Sequence, residues 1–303
     1  MKKIRAAVVG YGNIGRYAIE ALEAADDFEV AGVVRRHGAD NKPAELAQYD
    51  VVKDIRDLND VDVAILATPS RSCEEYAKQI LPLGINTVDS FDIHTSIVDY
   101  RRTLQPICKE HGAVAVISAG WDPGSDSIVR SLMQSLTPKG LTYTNFGPGM
   151  SMGHSVCARS KDGVKNALSM TIPKGEGLHR RMVYVELEDG ADFRTVEQNL
   201  LRDDYFAHDE THVIAVPSVN ALNNVAHGVH LVRNGVSANM HNQNFEFNMT
   251  INNPALTGQI LVACARAAVR MQQRGQCGCF TMIELAPIDL LHGNTEENIK
   301  ALV

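Results

Sequence analysis

No run in this 303-residue chain reaches the roughly 18 consecutive apolar residues that a membrane-crossing helix needs. Positive charge is not in excess either: 29 Lys and Arg face 36 Asp and Glu, a net charge of −7, which argues against a nucleic-acid binder. Cysteine is sparse. Cys73, Cys108, Cys157, Cys264, Cys277 and Cys279 are scattered and, apart from one Cys-Gly-Cys, lack metal-ligand spacing. No metal is expected, and the thiols read as reduced, in a cytoplasmic protein. There are no internal repeats and no low-complexity linker. The start, MKKIRAAVVG, is charged and then apolar, but it runs straight into a glycine-rich turn and reads as a strand rather than a signal peptide. Hydrophobic residues are plentiful at 45%, enough for the core of one large or two modest domains.

The first third alternates strand and helix. IRAAVV (4–9), FEVAGVV (28–34), VDVAILAT (61–68), INTVDS (85–90) and AVAVISAG (113–120) read as strands. Between them, helical spacing runs from Arg16 to Ala25, through SCEEYAKQILPLG to Gly84, and from Ile93 to His111. Such alternation predicts a doubly wound α/β sheet of parallel strands. In the middle third, LTYTNF, RRMVYVELEDG, THVIAVPSV and VHLVRNGVSAN show polar alternation, DFRTVEQNLLRD (192–203) reads as an amphipathic helix, and Asn234-Gly235 is a two-residue hairpin signal. This predicts an α+β domain on a mostly antiparallel sheet. NPALTGQILVACARAAVRMQQRG (253–275) then reads as a long helix, with Asn253 as N-cap, Pro254 in the first turn and a closing Gly275. The expected organisation is a dinucleotide-binding domain from 1–118 and 255–303, into which 119–254 is inserted for substrate binding and dimerisation.

The turn VVGYGNIG (8–15) follows a strand and opens a helix. Gly10 permits the tight turn, Gly12 lets a pyrophosphate approach the backbone, and Gly15 lets the helix sit close to the sheet, so that the helix N-terminus faces the anion. An NAD site of this kind usually carries an acid after the second strand, for the ribose 2′-OH. This chain has Arg35 and Arg36 there. Two planar, permanently charged donor forks fit a 2′-phosphate, which points to NADP. The expected cofactor contacts are Gly10, Tyr11, Gly12, Asn13, Ile14, Gly15, Arg35, Arg36, then Thr68, Pro69, Ser70 and Arg71 of ATPSRS, and Ser90, Phe91, Pro123 and Gly124.

Asp92 in VDSFDIH (88–94) and Asp122 in SAGWDPG (118–124) follow predicted strands, beside Phe91 and Trp121. Paired carboxylates at a sheet's carboxyl edge can hold an ammonium group or take a proton from it. On residues alone they could equally be turn acids, Asp-Pro-Gly being turn chemistry. In the middle third, the glycines around Met150–Met152 expose backbone N–H groups for a carboxylate. Thr171, Arg181 and His227 offer donors for a second one.

Taken together and in order, VVGYGNIGR, VDSFDIH, SAGWDPG, FGPGMSMGHS, AHGVH, NPALT and RMQQRGQCGCFTMIELAP make the chain resemble the meso-diaminopimelate dehydrogenases nearly end to end. The resemblance implies NADP-dependent oxidative deamination of meso-2,6-diaminopimelate at its D-centre, reversibly, to L-2-amino-6-oxopimelate, ammonia and NADPH, by a homodimer. It implies that Asp92 and Asp122 bind the oxidised amino group and that Trp121 and Phe146 wall the pocket. Met152 and Gly153 would offer N–H groups to the D-centre carboxylate, and Thr171, Arg181, His227 and Asn253 would hold the distal L-centre. Where some members have Trp-Gly-Pro-Gly and Gln-Gly-His-Ser, this chain has Phe146 and Met152. It also lacks an insertion that some members carry between Thr171 and Arg181. These departures resemble the branch that also aminates simple 2-keto acids to D-amino acids. The residues leave two other readings open: a similarly built oxidoreductase, such as a dihydrodipicolinate reductase or a sugar dehydrogenase (which usually has Lys-Pro where this chain has Thr68-Pro69), and a non-catalytic NADP sensor.

Overall fold

The computed structural model describes residues 2–222 and 226–303. The chain divides into two compact units, Met1–Ile128 with Pro254–Val303, and Val129–Asn253.

The first unit is a seven-stranded parallel sheet. Its strands are β1 (Ile4–Val9), β2 (Phe28–Val34), β3 (Val51–Val52), β4 (Val63–Leu66), β5 (Asn86–Asp89), β6 (Val114–Ile117) and β14 (Gly278–Thr281), in the order β14-β6-β5-β4-β1-β2-β3. The order reverses between β1 and β4, the place where open α/β sheets bind ligands at their strands' carboxyl ends. β1, β4, β5 and β6 are continuous apolar or buried runs, as strands covered on both faces must be. One core layer lies under α2 (Ser70–Ile80) and α3 (Ile97–His111), where Leu66, Leu81, Tyr100, Leu104, Cys108 and Ile117 interlock. On α7 (Asn253–Gln273), the buried Arg266 forks onto both oxygens of Asp27 at 2.6 and 2.9 Å and lies over the Phe28 ring. Both thereby tie to the α1–β2 connection, α1 being Asn13–Glu23.

The predicted alternation holds, with shifts at the element ends. α1 begins at Asn13 rather than Arg16, because Gly12 is its N-cap and the glycine turn passes directly into the first helical turn. α7 begins at Asn253, one residue before the predicted first position, a difference within ordinary fraying. Gly84 and Gly112 close their helices in the left-handed conformation.

The second unit differs more from expectation, since it holds two sheets rather than one. The first has the order β11-β10-β9-β8, from β8 (Gly149–Ser151), β9 (Val164–Gly175), β10 (Leu178–Leu187) and β11 (Glu210–Ala215). The second has the order β13-β12-β7, from β7 (Lys139–Phe146), β12 (His227–Ser237) and β13 (His241–Ile251). β8, β9 and β13 fall in stretches without clean alternation. The helices α4 (Ser125–Leu136) and α5 (Met152–Arg159) were likewise not expected, whereas α6 (Phe193–Leu201) falls inside the predicted helix and is capped by Asp192.

Asn234-Gly235 is not a turn. It lies inside β12, opposite Asn244 and Gln243 on one side and Leu141 and Gly140 on the other. The reason is steric: a Cβ on Gly140 would lie 2.4 Å from the Asn234 carbonyl, and one on Gly235 2.7 Å from that of Lys139, so the pair of glycines lets these strands close up. The reversal comes later, at Ala238, with φ +54°, between Ser237 and its partner His241.

Candidate active site

Three segments of the first unit converge at the switch point. Gly10 has φ +97°, and a Cβ there would lie 2.5 Å from the Ala67 carbonyl; a Cβ on Gly15 would lie 2.3 Å from that of Gly10. A Cβ on Gly12 would meet nothing within 4 Å among the described residues, so the space above the turn is open where a pyrophosphate would enter. α1 has no side-chain cap, which leaves the N–H groups of its first turn, Asn13, Ile14 and Gly15, to an anion. A cleft of about 360 Å³ runs from this turn to the ends of β2 and β4. It brings together the expected Gly10, Tyr11, Gly12, Arg35, Arg36, Thr68 and Pro69, and adds His37, Tyr76 and Ser72, the last at the end of ATPSRS. Arg36 is exposed, and Arg35 leaves most of its donors available, its one side-chain bond among the described residues being a long 3.4 Å contact to the Gly38 carbonyl. Arg71 is exposed on α2 and does not line this cleft. The open turn, the bare helix end and the paired arginines fit a dinucleotide carrying a 2′-phosphate.

Both expected carboxylates leave the same sheet edge. Asp92 follows β5. Ser70 Oγ, at the start of α2, donates to its Oδ1 at 2.6 Å and accepts from its N–H at 3.2 Å, so Ser70 braces an acid rather than pointing only at a cofactor. Asp122 follows β6 in a cis Asp122–Pro123 turn that continues to Gly124. It is one-tenth exposed, and His94 Nε2 lies 3.8 Å from its Oδ2. Trp121 and Phe91 are buried beside these acids in sequence, and Ser90 is half-buried.

The residue that fixes both loops lies inside VDSFDIH but was not among the expected site residues. Asp89, fully buried at the end of β5, accepts from the N–H groups of Phe91 at 2.9 Å and Ser118 at 3.1 Å, and from the Tyr100 hydroxyl at 2.8 Å. Burial nevertheless pushes its carboxyl up to about 6. Asp89 thus pins the turns leading to Asp92 and to Asp122. Its signal in the sequence is an acid that ends an apolar strand at the start of the VDSFDIH stretch.

In the second unit, Gly149, Thr171, Arg181 and Thr211 pair in register across the four strands of its first sheet, as one row. Arg181 Nη1 donates to Thr171 Oγ1 and Nε donates to Asp209 Oδ2 at 2.6 Å. Thr171 is fully buried. Asp209, just before β11, was not expected. Met152 and Gly153 are the first two residues of α5, so their N–H groups point out of a helix N-terminus rather than from a loop. His154 follows, bonded through Nδ1 to Ser151 Oγ at 2.8 Å and set edge-on to Tyr205 and Phe206; burial and the nearby Arg181 guanidinium lower its pKa to about 3. Phe146 ends β7, and its N–H donates to His179 Nε2 at 2.8 Å. His227 opens β12, buried, and Asn253 is buried at the start of α7.

A parallel sheet with a glycine turn, a cleft ending on two arginines, and carboxylates at the same edge define a Rossmann-type oxidoreductase. Residues 4–116 match the model of the oxidoreductase family with an NAD-binding Rossmann fold, and residues 120–253 match the diaminopimelic acid dehydrogenase C-terminal domain. Over its full length the chain is 65% identical to the meso-diaminopimelate D-dehydrogenase of Bacteroides fragilis, covering all of both chains. It superposes on the C. glutamicum DAP dehydrogenase in complex with DAP with a TM-score of 0.88 at 31% identity, again covering both chains entirely. An engineered D-amino acid dehydrogenase bound to NADP+ gives the same TM-score at 29% identity, with the same coverage. The chain belongs to the meso-diaminopimelate D-dehydrogenase family.

Proposed function

We propose that the chain oxidises meso-2,6-diaminopimelate at its D-centre with NADP+, giving L-2-amino-6-oxopimelate, ammonia and NADPH, and that the reaction runs in both directions. The observation that carries this reading is the pair of carboxyl-edge acids, Asp92 and Asp122, on the same sheet edge as a cleft whose far end holds Arg35 and Arg36. When bound, the nicotinamide supplies the hydride acceptor. Residues 1–118 with 255–303 serve as the nucleotide domain and 119–254 as the substrate and dimerisation domain.

The α-carbon gives up hydride only when its amine is neutral. Asp92 and Asp122 hold the ammonium, and Asp122 takes its proton. Ser70 keeps Asp92 in place. The Met152 and Gly153 N–H groups take the carboxylate of the same centre, and Trp121 and Phe146 wall the pocket. These anchors fix the directions around the α-carbon, so only the D-arrangement presents its hydrogen. Water then adds to the iminium carbon and ammonia leaves. At the far end, Thr171, Arg181, His227 and Asn253 hold the L-centre without reacting. Because Phe146 is smaller than Trp and Met152 is adaptable, the same site aminates pyruvate or phenylpyruvate to the D-amino acid, more slowly. The working form is a homodimer, consistent with the exposed Leu141 and Met240 of the second unit.

The test is stoichiometric. Purified protein with meso-diaminopimelate should release one ammonia per NADPH, with NADP+ preferred to NAD+. NAD+ preference would remove the role given to Arg35 and Arg36, and NADPH without ammonia would remove the deamination. An L-amino acid from pyruvate would mean that the anchors are assigned to the wrong groups.

A further inference from the structure

Two acid–base pairs stand side by side where β10 meets β11. On one, Arg180 Nε donates to Glu210 Oε1 at 2.6 Å, with side chains 41% and 36% exposed; Lys174 and His212 join the same carboxylate, and the group is a solvated surface cluster. On the other, Arg181 Nε meets Asp209 Oδ2 at 2.6 Å, with side chains 13% and 28% exposed. Successive strand residues point to opposite faces, so the second pair belongs to the face that carries Thr171.

Arg181 divides its donors. Nε serves Asp209 and Nη1 serves Thr171, while Nη2 has no protein partner among the described residues. Asp209 accepts on Oδ2, and its Oδ1 likewise has none among them. The half-buried pair therefore offers three donor hydrogens, both on Nη2 and one on Nη1, beside one anionic acceptor.

A site built only for a carboxylate gains positioning of Arg181 from this acid but no attraction. A fixed negative charge on the guanidinium weakens its pull on a second carboxylate. An α-amino acid group carries both an ammonium and a carboxylate, and for that ligand the two charges of the pair match the two charges of the guest. We propose that Asp209 binds the ammonium of the substrate's unreacted centre, so that Arg181 and Asp209 together recognise an intact α-amino acid group rather than a carboxylate alone. The inference rests on the assignment of Arg181 to the distal centre. Asp209 is then a specificity-determining residue for the diamino substrate.

The experiment compares kcat/KM of the full-length protein and of Asp209→Asn on two substrates, meso-diaminopimelate and D-2-aminopimelate. The second lacks only the distal amine and keeps the distal carboxylate. Asn retains an oxygen for Arg181 Nε and loses the charge. A charge-assisted bond predicts that the native protein prefers the diamino substrate by roughly 10- to 100-fold. Asp209→Asn should abolish most of that preference by raising KM, with kcat nearly unchanged and D-2-aminopimelate little affected, and Asp209→Glu should retain part of it. An equal loss on both substrates would overturn the proposal, because Asp209 would then only orient Arg181. Equal native kcat/KM on the two substrates would overturn it as well, and that comparison needs no variant to fold. Failure of the native protein to oxidise either substrate would instead count against the proposed deamination itself.

Discussion

The two units hold their functional groups in opposite ways. In the first, the groups sit on loops at the carboxyl ends of parallel strands, and much of the binding surface is backbone: a glycine turn, a bare helix N-terminus, and two acids on short turns pinned by the buried Asp89. In the second, the proposed anchors are side chains on strand faces, aligned by register across a sheet and braced by neighbours such as Asp209 and His179. Backbone sites need particular residues at particular spacings. Strand-face sites need only that distant segments pair in the right register.

Substitutions should separate the two arrangements. The largest effect is expected at the first unit's acids, which are proposed to handle the reacting amine. Asp122→Asn should lower kcat by roughly 10²–10⁴-fold with the thermal midpoint little changed. A small loss would place the proton transfer elsewhere. Next comes Arg181→Ala. It should cost about 2–4 kcal/mol in the transition-state free energy for diaminopimelate and clearly less for D-alanine, which has no distal centre. A uniform loss would show that the strand-face anchor acts on the fold rather than on the substrate. Replacing Arg35 and Arg36 together with Ala should raise KM for NADP+ with a loss of about 1.5–3 kcal/mol in binding, and leave NAD+ kinetics nearly unchanged. An equal loss with both cofactors would sink the 2′-phosphate assignment.

The smallest effect distinguishes the units by pH. His154 is held neutral in the fold, with its pKa lowered to about 3, so the unfolded chain binds the extra proton. Its contribution is present above the imidazole's ordinary pKa and is lost as pH falls, about 2 kcal/mol between pH 7 and 5. Asp89 has the opposite sign. Its carboxyl is raised to about 6, so the native state holds the extra proton, and its contribution grows as pH falls toward 5, by about 1 kcal/mol. Amide exchange should show the second unit loosening on acidification before the first, and His154→Gln should flatten that dependence. Equal loosening in both units would contradict the assignment of these two groups.

The same contrast explains what could be read in advance. The parallel sheet, the glycine turn, the paired arginines and the loops bearing Asp92 and Asp122 were visible because each is a local pattern. Asp209 was not, because it matters through a partner about 30 residues away, Arg181, and sits in no motif. The Asn234-Gly235 dipeptide misled for a related reason: a local turn signal was overridden by the close approach of Gly140 on a neighbouring strand. The N-terminus of α5 at Met152 was read as a glycine-flanked loop. The N–H groups were identified, but not the helix that orients them.

The central claim is that one D-centre is oxidised while a distal L-centre is only held. It is tested most directly by initial rates of NADPH formation on purified meso-, LL- and DD-diaminopimelate at equal concentration. The expected result is rapid turnover of the meso isomer, much slower turnover of the DD isomer, whose far centre has the wrong hand for the Arg181 anchor, and none of the LL isomer. Turnover of the LL isomer at a rate comparable with the meso isomer would contradict the account.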